Sequence, residues 1–287
     1  MLSSAVLITG VVFMKASPAG KGGPGQQPGD IMPVVFIGHG SPMNAIQDND
    51  FTRSLDKLGK TLPKPKVILC VSAHWVSEGT FITGSENPEQ IYDFDGFPDQ
   101  LYKVKYRPKG SVAAAKEVEK LLAGVPAKLS TEWGTDHGTW SILRHMYPKC
   151  DIPVIQLSLD VGKPERWHYE TAKRLLSLRK QGVLIIGSGN IVHNLSMIDW
   201  GQFSEKTPDW ALEFDAETKK RLDTGDDEGL IDYAKKDARA AAYAVPTNEH
   251  YLPMLYAAAL RQKGEKVSYF YEGFQHGSIS MRSFVIQ

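Results

Sequence analysis

Short apolar runs rich in β-branched residues recur along the chain and limit the folds it can adopt. Four of them read VVFIGH, KVILCVSAHW, IPVIQLSLD and VLIIGSGN, at residues 34–39, 66–75, 152–160 and 183–190. Near-continuous apolar runs of this length are typical of strands that are covered on both faces. Segments with helical spacing, such as residues 51–62 and 111–124, lie between them. The alternation predicts an α/β fold: a single domain with a central, mostly parallel sheet flanked by helices.

Four later segments are predicted to be helices, at residues 164–182, 208–225, 229–244 and 250–264, with the last one interrupted by Pro253. Residues 266–274 and 279–286 are predicted to be two closing strands. The sequence contains no internal repeat and no proline-rich linker inside this region, which agrees with one domain.

The overall composition is that of an ordinary globular enzyme, with 287 residues, 42% hydrophobic and 23% charged. Lysine and arginine total 33, and aspartate and glutamate also total 33, so the formal net charge is zero. Because the chain has no basic excess, we expect no nucleic-acid partner. Cys70 and Cys150 form no CxxC pair, and Cys70, inside an apolar run, is expected to be a buried free thiol.

The first 31 residues differ from the rest of the chain. Their apolar stretch of about ten residues is too short to span a membrane, and no lysine or arginine precedes it as in a signal peptide. Residues 17–30 are rich in glycine, proline and glutamine, as flexible linkers are. We expect residues 1–31 to be a flexible extension and residues 32–287 to be the catalytic domain. A weak signal or anchor, or a start codon assigned too early, are alternatives for the extension; a cytoplasmic location is expected, with export left open.

Histidines follow three of the predicted strands. His39 and His74 end the first two, and His193 comes just after the strand at residues 183–190. Ligand sites in open α/β sheets lie beyond the carboxyl ends of the strands. If these strands are parallel, the three histidines lie at one edge of the sheet.

Six of the eight histidines have a glycine, an acid or a strand end beside them: His39, His74, His137, His193, His250 and His276. The other two, His145 and His168, lie on predicted helices, where a surface or packing role is expected. Any one of the six alone would be explained as a hydrogen-bonded core histidine. Together they predict a metal or catalytic centre, because converging neutral imidazoles need a group to receive their lone pairs, and imidazole suits iron, zinc, copper and nickel.

Other motifs are weaker. The segment GSGNIV at residues 187–192 lacks the last glycine of a dinucleotide-binding loop, and Ser41 in GHGSP does not stand in a GxSxG motif. Neither nucleotide binding nor a serine nucleophile is therefore indicated. The aromatic residues of QIYDFDGFPDQLY, residues 90–102, either line an aromatic substrate pocket or pack within a surface loop.

Six motifs in order carry a resemblance to a known family: GHGSPMN, SAHW, YDFDGFP, DHGTW, GSGNIVHN and FQHGSISMRS, at residues 38–44, 72–75, 92–98, 136–140, 187–194 and 274–283. Together they resemble the class III extradiol dioxygenases, and most closely the DOPA 4,5-dioxygenase branch, over about residues 33 to 287. The resemblance implies a mononuclear non-haem Fe(II) that cleaves a catechol ring beside its two hydroxyls. The implied partners are a small catechol substrate and O₂, and the oligomeric state is left open.

The resemblance also implies roles for individual residues. His39 and His74 match the family's two ligand histidines, and His250 matches the third ligand of the DOPA branch, with Glu249 as its rival because the wider family uses a glutamate. His193 matches the active-site base, and is an alternative metal ligand when no substrate is bound. The remaining two histidines are expected at the substrate: His137 beside substrate and oxygen, and His276 in the pocket.

Two other functions use the same residues. A zinc-dependent hydrolase would need a metal-bound water and an acidic general base, which Glu249 could supply, and four firmly bound histidines would suit zinc better than iron. A non-catalytic metal-binding protein is the other alternative. His193 and His137 favour the dioxygenase over a metal-binding protein, since holding a metal does not require them.

Overall fold

Ten strands are present in the computed structural model, which describes residues 31–198 and 207–287. They are β1 (Val34–Gly38), β2 (Val67–Ser77), β3 (Thr80–Thr83), β4 (Ala127–Ser130), β5 (Val154–Asp160), β6 (Val183–Gly189), β7 (Val267–Tyr271), β8 (Phe274–Gln275), β9 (Ile279–Ser280) and β10 (Ser283–Ile286). Eight of them form one sheet in the order β4-β3-β5-β2-β6-β1-β10-β7, and β8 pairs with β9. The central strands β5, β2, β6 and β1 are parallel, while β10 and β7 are antiparallel at one edge. The predicted mostly parallel α/β sheet is confirmed.

Ten α-helices flank the sheet or connect its strands in the described part of the chain. They are α1 (Asp50–Thr61), α2 (Asp99–Tyr102), α3 (Val112–Leu121), α4 (His137–Met146), α5 (Glu165–Lys173), α6 (Asp209–Thr224), α7 (Asp227–Ile231), α8 (Tyr233–Lys236), α9 (Ala238–Ala244) and α10 (Leu252–Ala259). Short 3₁₀ helices cover Pro42–Ala45, Leu176–Gln181 and Leu195–Met197.

Successive residues of the central strands enter two different cores. Val34 and Phe36 of β1 pack in a core that includes residues of α3, α5, α6 and α10, whereas Val35 and Ile37 pack in a core that includes residues of α1 and α4. Side chains alternate between the two faces of a strand, so a strand with helices on both faces needs an apolar residue at almost every position. This is why the central strands appear in the sequence as unbroken apolar runs.

The predicted helix at residues 229–244 is wrong: this segment forms three short helices, α7, α8 and α9. Asp226 caps α7 by accepting a hydrogen bond from Gly229 N at 2.9 Å. Asp232 and Asp237 stand at the starts of α8 and α9, and Asp237 pairs with Arg221 at 2.6 Å. Aspartate favours helix ends over helix interiors because its side chain competes for backbone hydrogen bonds.

Three other expected boundaries also differ. Pro253 lies in the first turn of α10 and does not interrupt it, since proline lacks only an N–H that has no partner there. The helix expected at 164–182 ends at Lys173, and a 3₁₀ helix follows over Leu176–Gln181. Each closing strand is split in two. The first is interrupted at Gly273, whose φ is +143°, and the second between Ser280 and Ser283, where Met281 N donates to Gly273 O at 2.8 Å.

Helix α10 packs unusually close to the end of β6. A Cβ added at Gly187 would lie 2.2 Å from Pro253 O, and one added at Gly189 would lie 2.2 Å from His250 O. Asn190 N donates to His250 O at 2.8 Å. These contacts bring the residues just before α10 onto the carboxyl end of the parallel strands.

Three further predictions concern membrane spans, the cysteines and the first residues of the chain. No helix within residues 31–198 and 207–287 is long and apolar enough to cross a membrane. Cys70 is a buried free thiol, as predicted, and Cys150 is also free. The extension predicted for residues 1–31 lies, up to residue 30, outside the described residues.

Candidate metal centre

Three histidines from distant parts of the chain meet at the carboxyl edge of the parallel strands. His39 follows β1, His74 lies within β2 and His250 precedes α10. One ring nitrogen from each lies within 4.8 Å of the others, and Nε2 of His39 is 3.1 Å from Nε2 of His74. Two nitrogens at right angles around one ion, each about 2.1 Å from it, would be about 3.0 Å apart. The spacing therefore fits ligands of a single metal ion.

His74 reaches this point from inside its strand, so the expectation that it ends the strand is wrong. β2 continues to Ser77, and its register against β5 shifts between Val71 and Val76. An irregularity of this kind re-aims the side chains within it. It places the His74 ring beside His39, with ring centroids 5.0 Å apart.

The other ring nitrogens of these histidines are held by acceptors. Nδ1 of His39 is 3.0 Å from Ser188 Oγ, and the Ser188 hydroxyl donates to Gly138 O at 2.6 Å, so Oγ accepts from His39. Nδ1 of His250 is 3.0 Å from Glu249 Oε1. Because a proton on Nδ1 leaves Nε2 with a lone pair, these partners set the tautomers of both rings as in metal-bound histidines.

Burial keeps the three imidazoles neutral. It lowers the pKa of His39 and His74 well below 6.5, and the neighbouring histidines lower both further. Burial also lowers the pKa of His250, although Glu249 acts to raise it. Neutral imidazole is the form that binds metals, so the donor set fits a divalent cation.

Glu249, the rival third ligand, belongs to a neighbouring group. Its oxygens lie within 4.8 Å of ring nitrogens of His193 and His250, whereas the group that contains His39 and His74 is completed by His250. Glu249 Oε1 also accepts from Thr247 Oγ1 at 3.0 Å. In this arrangement Glu249 orients the His250 ring.

His193 lies flat against the His250 ring, with centroids 3.5 Å apart and an angle of 7° between the planes. Its backbone N–H donates to Ala244 O at 2.9 Å. Burial lowers the pKa of His193 to about 2, and His250 contributes to the shift. The ring is therefore neutral at pH 7.

His137 begins α4, where the Asp136 side chain caps the helix by accepting from Thr139 N at 3.1 Å. Its ring centroid is 3.9 Å from that of His74 and 5.7 Å from that of His39. Its Nδ1 is 2.8 Å from Asp93 Oδ2. His137 thus lies beside the three converging histidines.

All six predicted site histidines line one cavity of about 360 Å³, which is within the range of about 300–1,000 Å³ typical of small-molecule sites. Its apolar wall is formed by Phe94, Phe97, Leu195, Ile198 and Ile279. His276 lines the same cavity in a left-handed backbone conformation, with φ 51°. Of the aromatic residues in 90–102, Phe94 and Phe97 therefore line the cavity, whereas Tyr92 packs against Tyr102 and Trp140.

Asp93 and Ser188 were not predicted as site residues. Both stand inside motifs quoted for the family resemblance, YDFDGFP and GSGNIVHN. Asp93 contacts His74 and His137, and Ser188 contacts His39. An acid next to two aromatic residues was the available signal for Asp93, but its histidine partners are distant in sequence.

Comparison with known proteins gives one consistent result. Residues 33–281 match the family described as the catalytic LigB subunit of aromatic ring-opening dioxygenase. The chain is 44% identical over 256 residues to a 4,5-DOPA dioxygenase extradiol of Escherichia coli K12, covering 88% of this chain and 93% of that protein. It is 34% identical over 261 residues to a 4,5-DOPA dioxygenase extradiol of Beta vulgaris, covering 89% and 96%.

A solved structure agrees with these matches. The crystal structure of an uncharacterized protein from Escherichia coli K12 superposes with a TM-score of 0.78 at 40% sequence identity, covering 89% of this chain and 100% of that one. Both the sequence matches and the fold extend over nearly all of the predicted catalytic domain. The chain therefore belongs to the family of catalytic LigB subunits of aromatic ring-opening dioxygenases, the extradiol class that its sequence predicts.

Proposed function

We propose that this chain opens the ring of DOPA or a similar catechol by extradiol cleavage with O₂, at one Fe(II) held by His39, His74 and His250. The observation that carries the proposal is the convergence of three neutral imidazoles on a cavity with an aromatic wall. The names of the relatives from Escherichia coli and Beta vulgaris support DOPA as the substrate. Iron, when bound, would supply the redox chemistry. It would also bring catechol and O₂ together at one site.

Three nitrogen ligands leave positions for substrate and oxygen. The rings of His39, His74 and His250 line the cavity, with one nitrogen of each within 4.8 Å of the others, so they would hold an ion where the cavity is open to substrate. The same three nitrogens also suit Zn(II). We propose Fe(II) as the active metal, since ring cleavage with O₂ needs a metal that changes its redox state. Zinc does not change its redox state.

His193 is proposed as the base that accepts a catechol proton. Catechol must lose protons to chelate a metal, so a neutral base has to stand close to the ion. The His193 ring is neutral, and it stacks on the proposed ligand His250 at 3.5 Å. An anionic catecholate beside it would favour its protonated form, because opposite charges stabilise each other.

His137 is proposed to form a hydrogen bond to substrate or bound oxygen. With Nδ1 facing Asp93 at 2.8 Å, Nε2 is the nitrogen left for the cavity. His276, in the same cavity, is proposed to contact the substituent of the catechol ring.

The zinc-hydrolase alternative is less well supported. It needs Glu249 as a free general base, but Oε1 of Glu249 bonds to both His250 and Thr247. The cytoplasmic location and the role of the first 31 residues stay predictions.

The deciding experiment is oxygen uptake by the full chain. We expect the freshly reduced, iron-loaded protein to consume one O₂ per DOPA and to form a yellow semialdehyde, while the zinc-loaded protein does neither. If the iron-loaded protein consumes no O₂ with any of a panel of substituted catechols, the proposed function is wrong.

A further inference from the structure

One carboxylate, that of Asp93, contacts two histidines of the site. Its Oδ1 accepts the backbone N–H of His137 at 2.8 Å, and its Oδ2 lies 2.8 Å from Nδ1 of the same residue. Nδ1 of His74 lies 3.4 Å from that same Oδ2. The Asp93 side chain is only 13% exposed, so solvent and salt screen these contacts weakly.

These contacts have a chemical consequence for His137. A carboxylate oxygen without a proton can only accept hydrogen bonds, so Nδ1 of His137 carries the hydrogen. The ring is then fixed with Nε2 as its remaining nitrogen. A second bond, from the backbone N–H to Oδ1, prevents the carboxylate from rotating away.

The segment that carries Asp93 is anchored on both sides. Trp140 Nε1 donates to Ile91 O at 2.9 Å, and Tyr92 Oη donates to Val104 O at 2.6 Å. On the other side, the ring of Phe94 packs edge-on against His137 at 5.3 Å. Asp93 is therefore held in place by contacts that do not depend on substrate.

We propose that Asp93 is a positioning residue that fixes the tautomer and orientation of His137 and, through the longer contact, steadies His74. One carboxylate thereby couples the group that holds the metal to the group that faces the substrate. The part that concerns turnover rests on the proposed function of His137. The parts that concern tautomer and metal affinity do not, so they can be tested in an inactive, zinc-loaded protein.

The first test is Asp93→Asn, which keeps the shape but offers one acceptor where Asp93 uses two. Nitrogen-15 NMR of the zinc-loaded chain should find His137 as a single Nδ1–H tautomer in the wild type and as a mixture in the variant. The affinity for Zn(II) should fall by about 10-fold, near the lower end of the range of about 10–100-fold for lost partners of metal-binding histidines, because the His74 contact is long.

Asp99→Asn is the matched control, since Asp99 lies six residues further along the chain, exposed in the first turn of α2 and outside the cavity. It should leave both the His137 tautomer and the zinc affinity unchanged. If Asp93→Asn does not fold, Asp93→Ser, which keeps one small acceptor, is measured in the same way. An unchanged tautomer together with an unchanged zinc affinity in the folded variant would overturn the proposal.

The second test separates positioning from a general structural role. In the iron-loaded chain, Asp93→Asn should lower kcat by about 10–100-fold and change KM for DOPA little. In a His137→Ala background the same substitution should lower kcat no further, because the residue it acts through is absent, yet it should still weaken zinc binding through His74. An equal loss of kcat in both backgrounds would show that Asp93 does not act through His137.

Discussion

Two buried histidines, His39 at the sheet edge and His168 on the face of α5 that contacts α10, differ in how their ring nitrogens are used. Nδ1 of His168 is 3.1 Å from Tyr256 Oη, and its Nε2 is 3.2 Å from Asp160 O. In His39 only Nδ1 has such a partner, Ser188 Oγ, while Nε2 points at another imidazole nitrogen 3.1 Å away. Both rings are buried and have a lowered pKa, so burial does not distinguish a structural histidine from a ligand. What distinguishes His39 from His168 is its second ring nitrogen, Nε2, which faces another imidazole nitrogen instead of a hydroxyl or a carbonyl.

The largest expected effect is on metal binding. His39→Ala removes one of three proposed ligands and should abolish tight binding of Fe(II), and with it O₂ uptake. The matched change, His168→Leu, should keep one metal per chain, because His168 bonds to Tyr256 and is not among the histidines that line the cavity. Metal analysis after gel filtration measures the metal content of both variants. Full metal content in His39→Ala would show that His39 is not a required ligand.

A smaller effect is expected at His193, which stacks on the proposed ligand His250 and is itself proposed to be a base. His193→Ala should lower kcat by about 10²–10⁴, the usual cost of a lost acid–base residue, while metal content stays near one per chain. If metal is lost together with activity, His193 is a ligand and belongs with His39. Stopped-flow oxygen uptake and metal analysis on the same sample separate the two outcomes.

His168 should affect stability and its dependence on pH. Burial lowers the pKa of His168 from 6.5 to about 4, so between these values the unfolded chain binds more protons than the folded one, and stability falls as pH falls. His168→Leu leaves Tyr256 Oη without this partner and should cost about 1–3 kcal/mol at pH 7, but less at pH 4.5. Denaturant unfolding of the metal-free proteins at both pH values tests this, and an equal cost at both would contradict the assignment of His168 as a neutral core residue.

The smallest effect is expected from the first 31 residues. Met32 is fully buried, and its N–H and C=O bond to Arg179 at 3.0 and 2.7 Å. A chain that begins at Met32 keeps these bonds, so its Tm and O₂ uptake should match those of the full chain. A marked loss of stability would show that residues before Met32 pack on the domain.

The sequence predicts one half of the site better than the other. His39 and His193 follow apolar runs, and strand ends in a parallel sheet are places where ligands bind, so periodicity alone brings them to one edge. His74 was placed near that edge, but the irregular register that aims it inward leaves no pattern in the sequence. Asp93 was missed because it lies in a segment without periodicity, and its pairing with His137 depends on contacts that close only when the sheet and α4 are assembled.

The helix boundaries near α10 fail for a similar reason. Pro253 in an apolar, alanine-rich segment indicates an interruption when only local preference is considered. In the fold, the helix begins at Leu252, so Pro253 falls in its first turn, and the residues before it are held against β6 by the bond from Asn190 N to His250 O. A contact between distant parts of the chain, which local sequence does not show, fixes the residues just before this helix.

The close approach of α10 to β6 also bears on how this enzyme can vary. Gly187 and Gly189 do not line the cavity, yet a single methyl group on either would meet a backbone oxygen at 2.2 Å. Any substitution at these two positions has to move the segment that carries His250 away from β6. It therefore changes the position of the third proposed ligand. Libraries that vary only the cavity wall would leave both positions untouched, although these positions allow the segment that carries His250 to approach β6 closely. Substitutions at Gly187 and Gly189 are therefore a way, in evolution or design, to change the metal or its coordination number without changing a residue that lines the cavity.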